Sequence, residues 1–92
     1  MLIRTFDWDD RNISHLRMRH GVEPEETEEV LAAHPMLRRG KRGRYAAIGP
    51  TLGGRYLTVV FQCRVGGVAR VITAWDSIDA EKRRYRRERG RS

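Results

Sequence analysis

Cys63 is the only cysteine in the chain. Its isolation rules out an intrachain disulfide, makes a reducing compartment the expected setting, and leaves the hydrophobic core to hold the fold. Because it lies inside an apolar run, Cys63 is expected to pack as a small hydrophobe. Long hydrophobic runs are missing as well. No stretch approaches the ~18 apolar residues of a membrane span, and the N-terminus carries no signal-peptide core, so a soluble, cytoplasmic protein is expected. The three histidines are separated and no Cys/His spacing resembles a zinc site, so neither a metal nor another cofactor is expected. No internal repeat is evident.

What the chain does have is charge. Its 92 residues suit one domain, residues 1–92, with one core layer. Of these, 39% are hydrophobic and 34% charged, for a net charge of +7. Residues 1–37 hold four arginines against eight acids, a net of −4, whereas residues 38–92 hold fifteen Lys and Arg against four acids, a net of +11. An acidic entry thus precedes a basic body. A basic body favours a polyanionic partner such as RNA, DNA or an acidic protein, with a plain solvated surface as the alternative.

Hydrophobic spacing predicts the elements. Leu2, Thr5 and Phe6 suit a short first strand that stops at the aspartates. Asp9 or Asp10 can cap a helix reaching about His20, with Ile13, Leu16 and His20 at helical spacing and Gly21 as its left-handed terminator. Pro24 opens a second helix that Pro35 breaks. In it Thr27, Val30, Leu31 and His34 form one stripe, leaving Glu25, Glu26, Glu28 and Glu29 toward solvent. LRRGKRGRYAAIG begins as a basic loop and becomes a strand near Tyr45. RYLTVVFQCRV is the expected central strand, joined through Gly66 and Gly67 to VARVITAW. Asp76 or Ser77 can cap a last helix with Ile78 and Tyr85 on one face, and residues 86–92 are expected to fray as a basic tail. The predicted order is β-α-α-β-β-β-α, an α+β fold with helices packed on a three-stranded antiparallel sheet.

Several motifs lie along this order. Phe6, Trp8 and Asp9 form F-x-W-D, and Arg19 precedes the H-G-V of His20, Gly21 and Val22. Glu25, Glu26, Glu29 and Val30 mark the acidic second helix. Ile48 and Gly49, the G-R-x-L-x-V-V run from Gly54 to Val60, and the R-V-I-[ST]-A run from Arg70 to Ala74 follow, with Glu81 and Tyr85 as E-x-x-x-Y. In this order, over residues 6–85, they resemble the BrnT family of type II toxins in the RelE-like ribonuclease group. The resemblance implies a RelE-like fold, metal-independent cleavage of RNA, and neutralisation by a cognate antitoxin protein in a toxin–antitoxin hetero-oligomer. Trp75 stands where members with toxin activity commonly carry arginine, Leu16 where asparagine is usual, and Asn12 where lysine is usual.

Cleaving RNA without a metal takes a base for the 2′-hydroxyl, an acid for the leaving 5′-oxygen, and cations beside the phosphorane. Arginine suits the last task because its planar fork grips two phosphate oxygens and stays protonated. The resemblance points to Arg44, Arg55 and Arg70 from the sheet, and to Glu81 and Tyr85 from one face of the last helix. His34, before the basic loop, is a candidate general base. Each has a structural alternative: edge solubility for Arg55, a solvated outward position for Arg70, an ion pair for Glu81, core packing for Tyr85, helix capping for His34. His20 reads as a structural hydrogen bonder and His15 as solvated. Trp75 can stack a base or fill the seam beneath the last helix, and the seam is favoured. Arg38, Arg39, Lys41, Arg42 and Arg44, with Lys82 and Arg83, are expected to contact RNA phosphates without reading sequence. An acidic antitoxin segment would cover the same surface. The reading is a BrnT-like ribonuclease toxin. A non-catalytic nucleic-acid- or protein-binding relative that kept the fold stays open as the alternative, and Trp75 favours it.

Overall fold

The computed structural model describes residues 3–89, so Leu2 of the expected first strand and residues 90–92 of the expected tail lie outside the described residues. The chain runs β1 (Thr5–Phe6), α1 (Asp10–His15), a π-helical turn (Leu16–His20), α2 (Pro24–Ala32), β2 (Met36–Arg39), β3 (Arg44–Pro50), β4 (Tyr56–Arg64), β5 (Val68–Asp76) and α3 (Asp79–Arg89). Five strands form one sheet in the order β1-β5-β4-β3-β2.

The sheet has five strands where a three-stranded meander is predicted: the expected first strand joins one edge and an unpredicted strand the other. β1 joins β5 in parallel through Thr5↔Val68 and Phe6↔Ala69. Met36–Arg39, expected as a loop, pairs antiparallel with β3 from Met36↔Ile48 to Arg39↔Tyr45. Charged side chains do not prevent a strand at an edge; they discourage pairing with further chains there. Arg42 and Gly43, at φ 59° and 71°, make the sharp reversal between β2 and β3. Gly66 and Gly67, at φ 85° and 76°, make the predicted turn between β4 and β5.

The helices begin and end largely where their chemistry predicts. Asp9 accepts from the Asn12 backbone N–H at 3.1 Å, while Asn12 Oδ1 accepts from the Asp9 N–H at 2.8 Å. This reciprocal cap satisfies N–H groups the first turn cannot use itself. Gly21, at φ 61°, ends the π-helical turn in the left-handed conformation. The last helix is capped differently from the expectation. Glu81 reaches back to accept from Ile78 N–H, Ser77 is tied to Thr58, and Asp76 to Arg55. Ile78 is 61% exposed, so Tyr85, at 6%, carries the buried side of α3 without it. Arg86–Arg89 continue α3 as its last turn.

One face of the sheet carries the core. Leu57, Val59 and Phe61 of β4, with Ala47, Ala69, Val71 and Ala74, pack against Leu16, Val22 and Val30 from the helices. Cys63 sits half-buried at its margin, and burial pushes its thiol pKa up. α1 lies along the edge of β5 that β1 leaves unpaired, where Asn12 Nδ2 donates to Val71 O at 3.3 Å. No helix among the described residues is long and apolar enough to cross a membrane.

Candidate nucleic-acid interface

Strand register arranges the sheet face opposite the core in cross-strand rows. Met36, Ile48, Thr58 and Trp75 form the row beneath α3. Ile48 and Thr58 are almost fully buried there, and Thr58 Oγ1 lies 2.9 Å from Ser77 Oγ. The next row, Arg38, Ala46, Val60 and Thr73, and the one after it, Arg44, Gln62 and Arg70, remain accessible. At the β2–β3 end of these rows lies a hollow of about 540 Å³, walled by Arg38, Arg39, Lys41, Arg42 and Arg44 and floored by Ala46 and Val60. Gln62 Nε2 donates to Arg42 O at 3.4 Å and ties the turn to β4, while the Arg39 guanidinium lies 6.0 Å from the Tyr45 ring centroid.

The acids explain why these cations stand open. Glu26, Glu28 and Glu29, expected to face solvent, are drawn inward: Glu26 accepts from Arg55, Glu28 from Trp8 Nε1 at 2.7 Å, and Glu29 from Leu52 N–H at 3.0 Å. Asp7 pairs with Arg64 and Arg70, Asp9 with Arg70, and Glu23 with Arg17. The acidic entry thus neutralises Arg17, Arg55, Arg64 and Arg70 of the same chain. Among the described residues no carboxylate pairs with Arg38, Arg39, Lys41, Arg42 or Arg44. Unpaired cations around a concave surface are what a phosphate chain requires.

The five residues expected to cleave RNA are not gathered in one place. Arg55 donates to Asp76, to Glu26 and to the backbone carbonyls of Gly21 and His20. Its hydrogen bonds to Asp76 raise its pKa above the ordinary arginine value and hold the Asp76 carboxyl below the usual range. Arg70 sits in the accessible third row, paired with Asp9 at 2.9 Å and Asp7 at 3.3 Å, and these partners raise its pKa. Glu81 Oε1 accepts from Trp75 Nε1 at 3.2 Å and from Ile78 N–H, so Trp75 fills the seam beside α3. Tyr85 meets the Tyr56 ring edge-on at 5.6 Å between centroids. His34, at φ 52°, lies at the exit of α2 and lines a separate hollow with Ile3, Phe6, Leu31 and Leu37. Lys82 is half-buried on α3, close enough to Asp76 to help depress its carboxyl, and Arg83 is exposed.

Sequence reasoning missed one constellation. His15 Nε2 and His20 Nε2 lie 3.1 Å and 3.3 Å from the same hydroxyl, Thr73 Oγ1. Five residues apart, the two histidines point to different sides of a regular helix, and only the π-helical turn brings them together. Among the described residues no group of three or more His, Cys, Asp or Glu side chains could hold a metal ion.

Comparison with known proteins fits this architecture. A search of curated proteins finds no match. The crystal structure of the Brucella abortus ribonuclease toxin BrnT superposes with a TM-score of 0.68 at 21% identity, over 82% of this chain and 97% of that one. Residues 8–81 match the family described as the ribonuclease toxin, BrnT, of type II toxin–antitoxin systems. With the shared fold behind that match, the chain belongs to the BrnT family of type II toxins, a family whose members have an antitoxin partner.

Proposed function

We propose that this chain is a metal-independent endoribonuclease acting in the cytoplasm, and that it binds RNA along the two accessible rows of the sheet. The observation that carries the reading is the carboxylate-free hollow of Arg38, Arg39, Lys41, Arg42 and Arg44 on that face. Phosphates enter there, and Arg70, two strands along the same row as Arg44 across Gln62, flanks the RNA on the β5 side. Lys82 and Arg83 of α3 extend the contact. An acidic antitoxin segment competes for the same cations. Arg55 supports the surface from beneath by fixing the α1–α2 junction to the end of β5.

A second reading rests on Trp75. Its indole occupies Glu81 where family members with toxin activity commonly carry arginine, and this favours a relative that binds RNA or protein without cleaving. Expression in bacteria without an antitoxin separates the two. Growth arrest with RNA decay, relieved by Arg38→Ala with Arg44→Ala, supports the nuclease; normal growth with intact RNA, while the purified chain still binds RNA, supports the second reading.

A further inference from the structure

Two backbone irregularities meet at one hydroxyl. On a regular helix of 3.6 residues per turn, positions five apart project roughly 140° apart. The π-helical turn Leu16–His20 instead brings the His15 and His20 rings to 5.5 Å between centroids. On the facing strand, Val60 pairs with Thr73 but Phe61 pairs with Val71, so Ile72 is an extra residue beside Thr73. Both π-turns and β-bulges gather at functional sites, where they re-aim side chains. Here they aim two imidazoles and one hydroxyl at each other. Thr73 also lies directly across from Val60, the floor of the basic hollow, and directly opposed cross-strand residues are ~5 Å apart.

A threonine hydroxyl has one proton to give and two lone pairs. Held by two Nε2 atoms, Thr73 can donate to one ring while accepting from the other, an arrangement in which the two rings take opposite tautomers. The ring that donates through Nε2 has a bare Nδ1; the ring that accepts at Nε2 carries its proton on Nδ1. One ring is then a base and the other a proton source. Among the described residues no hydrogen bond engages either Nδ1.

We propose that His15, Thr73 and His20 form the proton relay for RNA cleavage, an inference that rests on the ribonuclease reading above. The bare Nδ1 takes the ribose 2′-hydroxyl proton as the 2′-oxygen bonds to phosphorus. That ring passes its Nε2 proton to Thr73 Oγ1, and the hydroxyl passes its own to Nε2 of the second ring. The second ring releases its Nδ1 proton to the 5′-oxygen as the P–O5′ bond breaks. The products are a 2′,3′-cyclic phosphate and a 5′-hydroxyl; no co-reactant is consumed, and the rings exchange tautomers. Arg55 is a positioning residue for this relay, since its Nη2 donates to His20 O at 3.4 Å and its Nη1 to Gly21 O at 3.0 Å.

The test compares single-turnover cleavage of an oligoribonucleotide with binding of its all-2′-deoxy counterpart, each variant being checked by thermal melting. His15 is exposed, so His15→Ala keeps the fold. It should lose roughly 10²-fold or more in cleavage with binding unchanged, and added imidazole should restore part of the rate. Thr73→Val should lose at least about tenfold, and Thr73→Ser should recover it, because only serine keeps a transferable proton. Cleavage by His15→Ala at the wild-type rate, or equal rates for Thr73→Val and Thr73→Ser, overturns the relay and leaves the nuclease standing. A wild-type chain that binds the oligonucleotide without cleaving it overturns both.

Discussion

Arg55 closes onto Asp76 through two parallel hydrogen bonds, Nε to Oδ1 at 2.7 Å and Nη2 to Oδ2 at 3.0 Å. The same guanidinium reaches Glu26 and two backbone carbonyls at the α1–α2 junction, so one side chain joins β4, β5 and the helical layer. Asp76 is 65% exposed, and water screens its share of the attraction. Removing Arg55 takes this donor from both carbonyls and leaves Glu26 with only the Glu23 N–H. Arg55→Ala should therefore lower unfolding free energy by about 2 kcal/mol, and Arg55→Lys should recover less than half of this because an ammonium cannot reproduce the fork. Urea unfolding at constant m-value measures both.

Acid should loosen the same junction. Hydrogen bonds from Arg55 hold the Asp76 carboxyl below its ordinary 3.8, and the Asn12 N–H, then Arg70, do so for Asp9. A carboxyl whose folded pKa is depressed contributes stability that is complete above the unfolded value, near 3.9, and lost as pH falls through the folded one. The melting temperature should be flat from about pH 7 to 5 and fall below about pH 4. Asp76→Asn should start lower at neutral pH and fall less steeply. A parallel decline in the variant and the wild type would show that Asp76 does not contribute to the acid limb.

Features set by local backbone chemistry were legible in the sequence. An aspartate cap on α1, which the sequence left between Asp9 and Asp10 and which is Asp9, Pro24 opening α2, Gly21 closing the first helix and the Gly66–Gly67 turn each depend on neighbours only a few residues away. β2 was not legible, because Arg38 and Arg39 are tolerated only by the open edge they occupy, and an edge is a property of the assembled sheet. Nor were the partners of Glu26, Glu28 and Glu29, each at least twenty residues away. The cationic half of the candidate site could be read from charge, whereas the His15–Thr73–His20 triangle depends on a π-turn and a bulge, neither of which leaves a periodicity in a single sequence.

RNA binding should depend steeply on salt. Each phosphate neutralised on a single strand contributes a slope of ~0.7 in log affinity against log salt. Arg38→Ala and Arg44→Ala should each reduce that slope by about 0.7 and weaken binding equally for oligonucleotides of different sequence. Both positions are exposed strand residues without a carboxylate partner among the described residues, so their melting temperatures should stay close to wild type. Arg83→Ala on α3 tests how far the strand extends. An unchanged slope in all three variants would move the RNA off this face.

Tyr85 separates packing from chemistry on α3. Its ring is 6% exposed, meets Tyr56 edge-on, and lies close enough to Gly49 that a Cβ there would approach Tyr85 Cε1 at 3.6 Å. Removing such a buried aromatic leaves a cavity beneath α3, and Tyr85→Ala should cost about 3 kcal/mol. The Tyr85 hydroxyl makes no hydrogen bond among the described residues. Tyr85→Phe should accordingly melt within a few degrees of wild type, since it keeps the ring and its contact with Tyr56. If Tyr85→Phe folded normally but lost cleavage more than tenfold, the phenol would be a proton donor and α3 would contribute chemistry as well as cover; equal cleavage assigns the helix to packing and leaves proton transfer to the β5 edge.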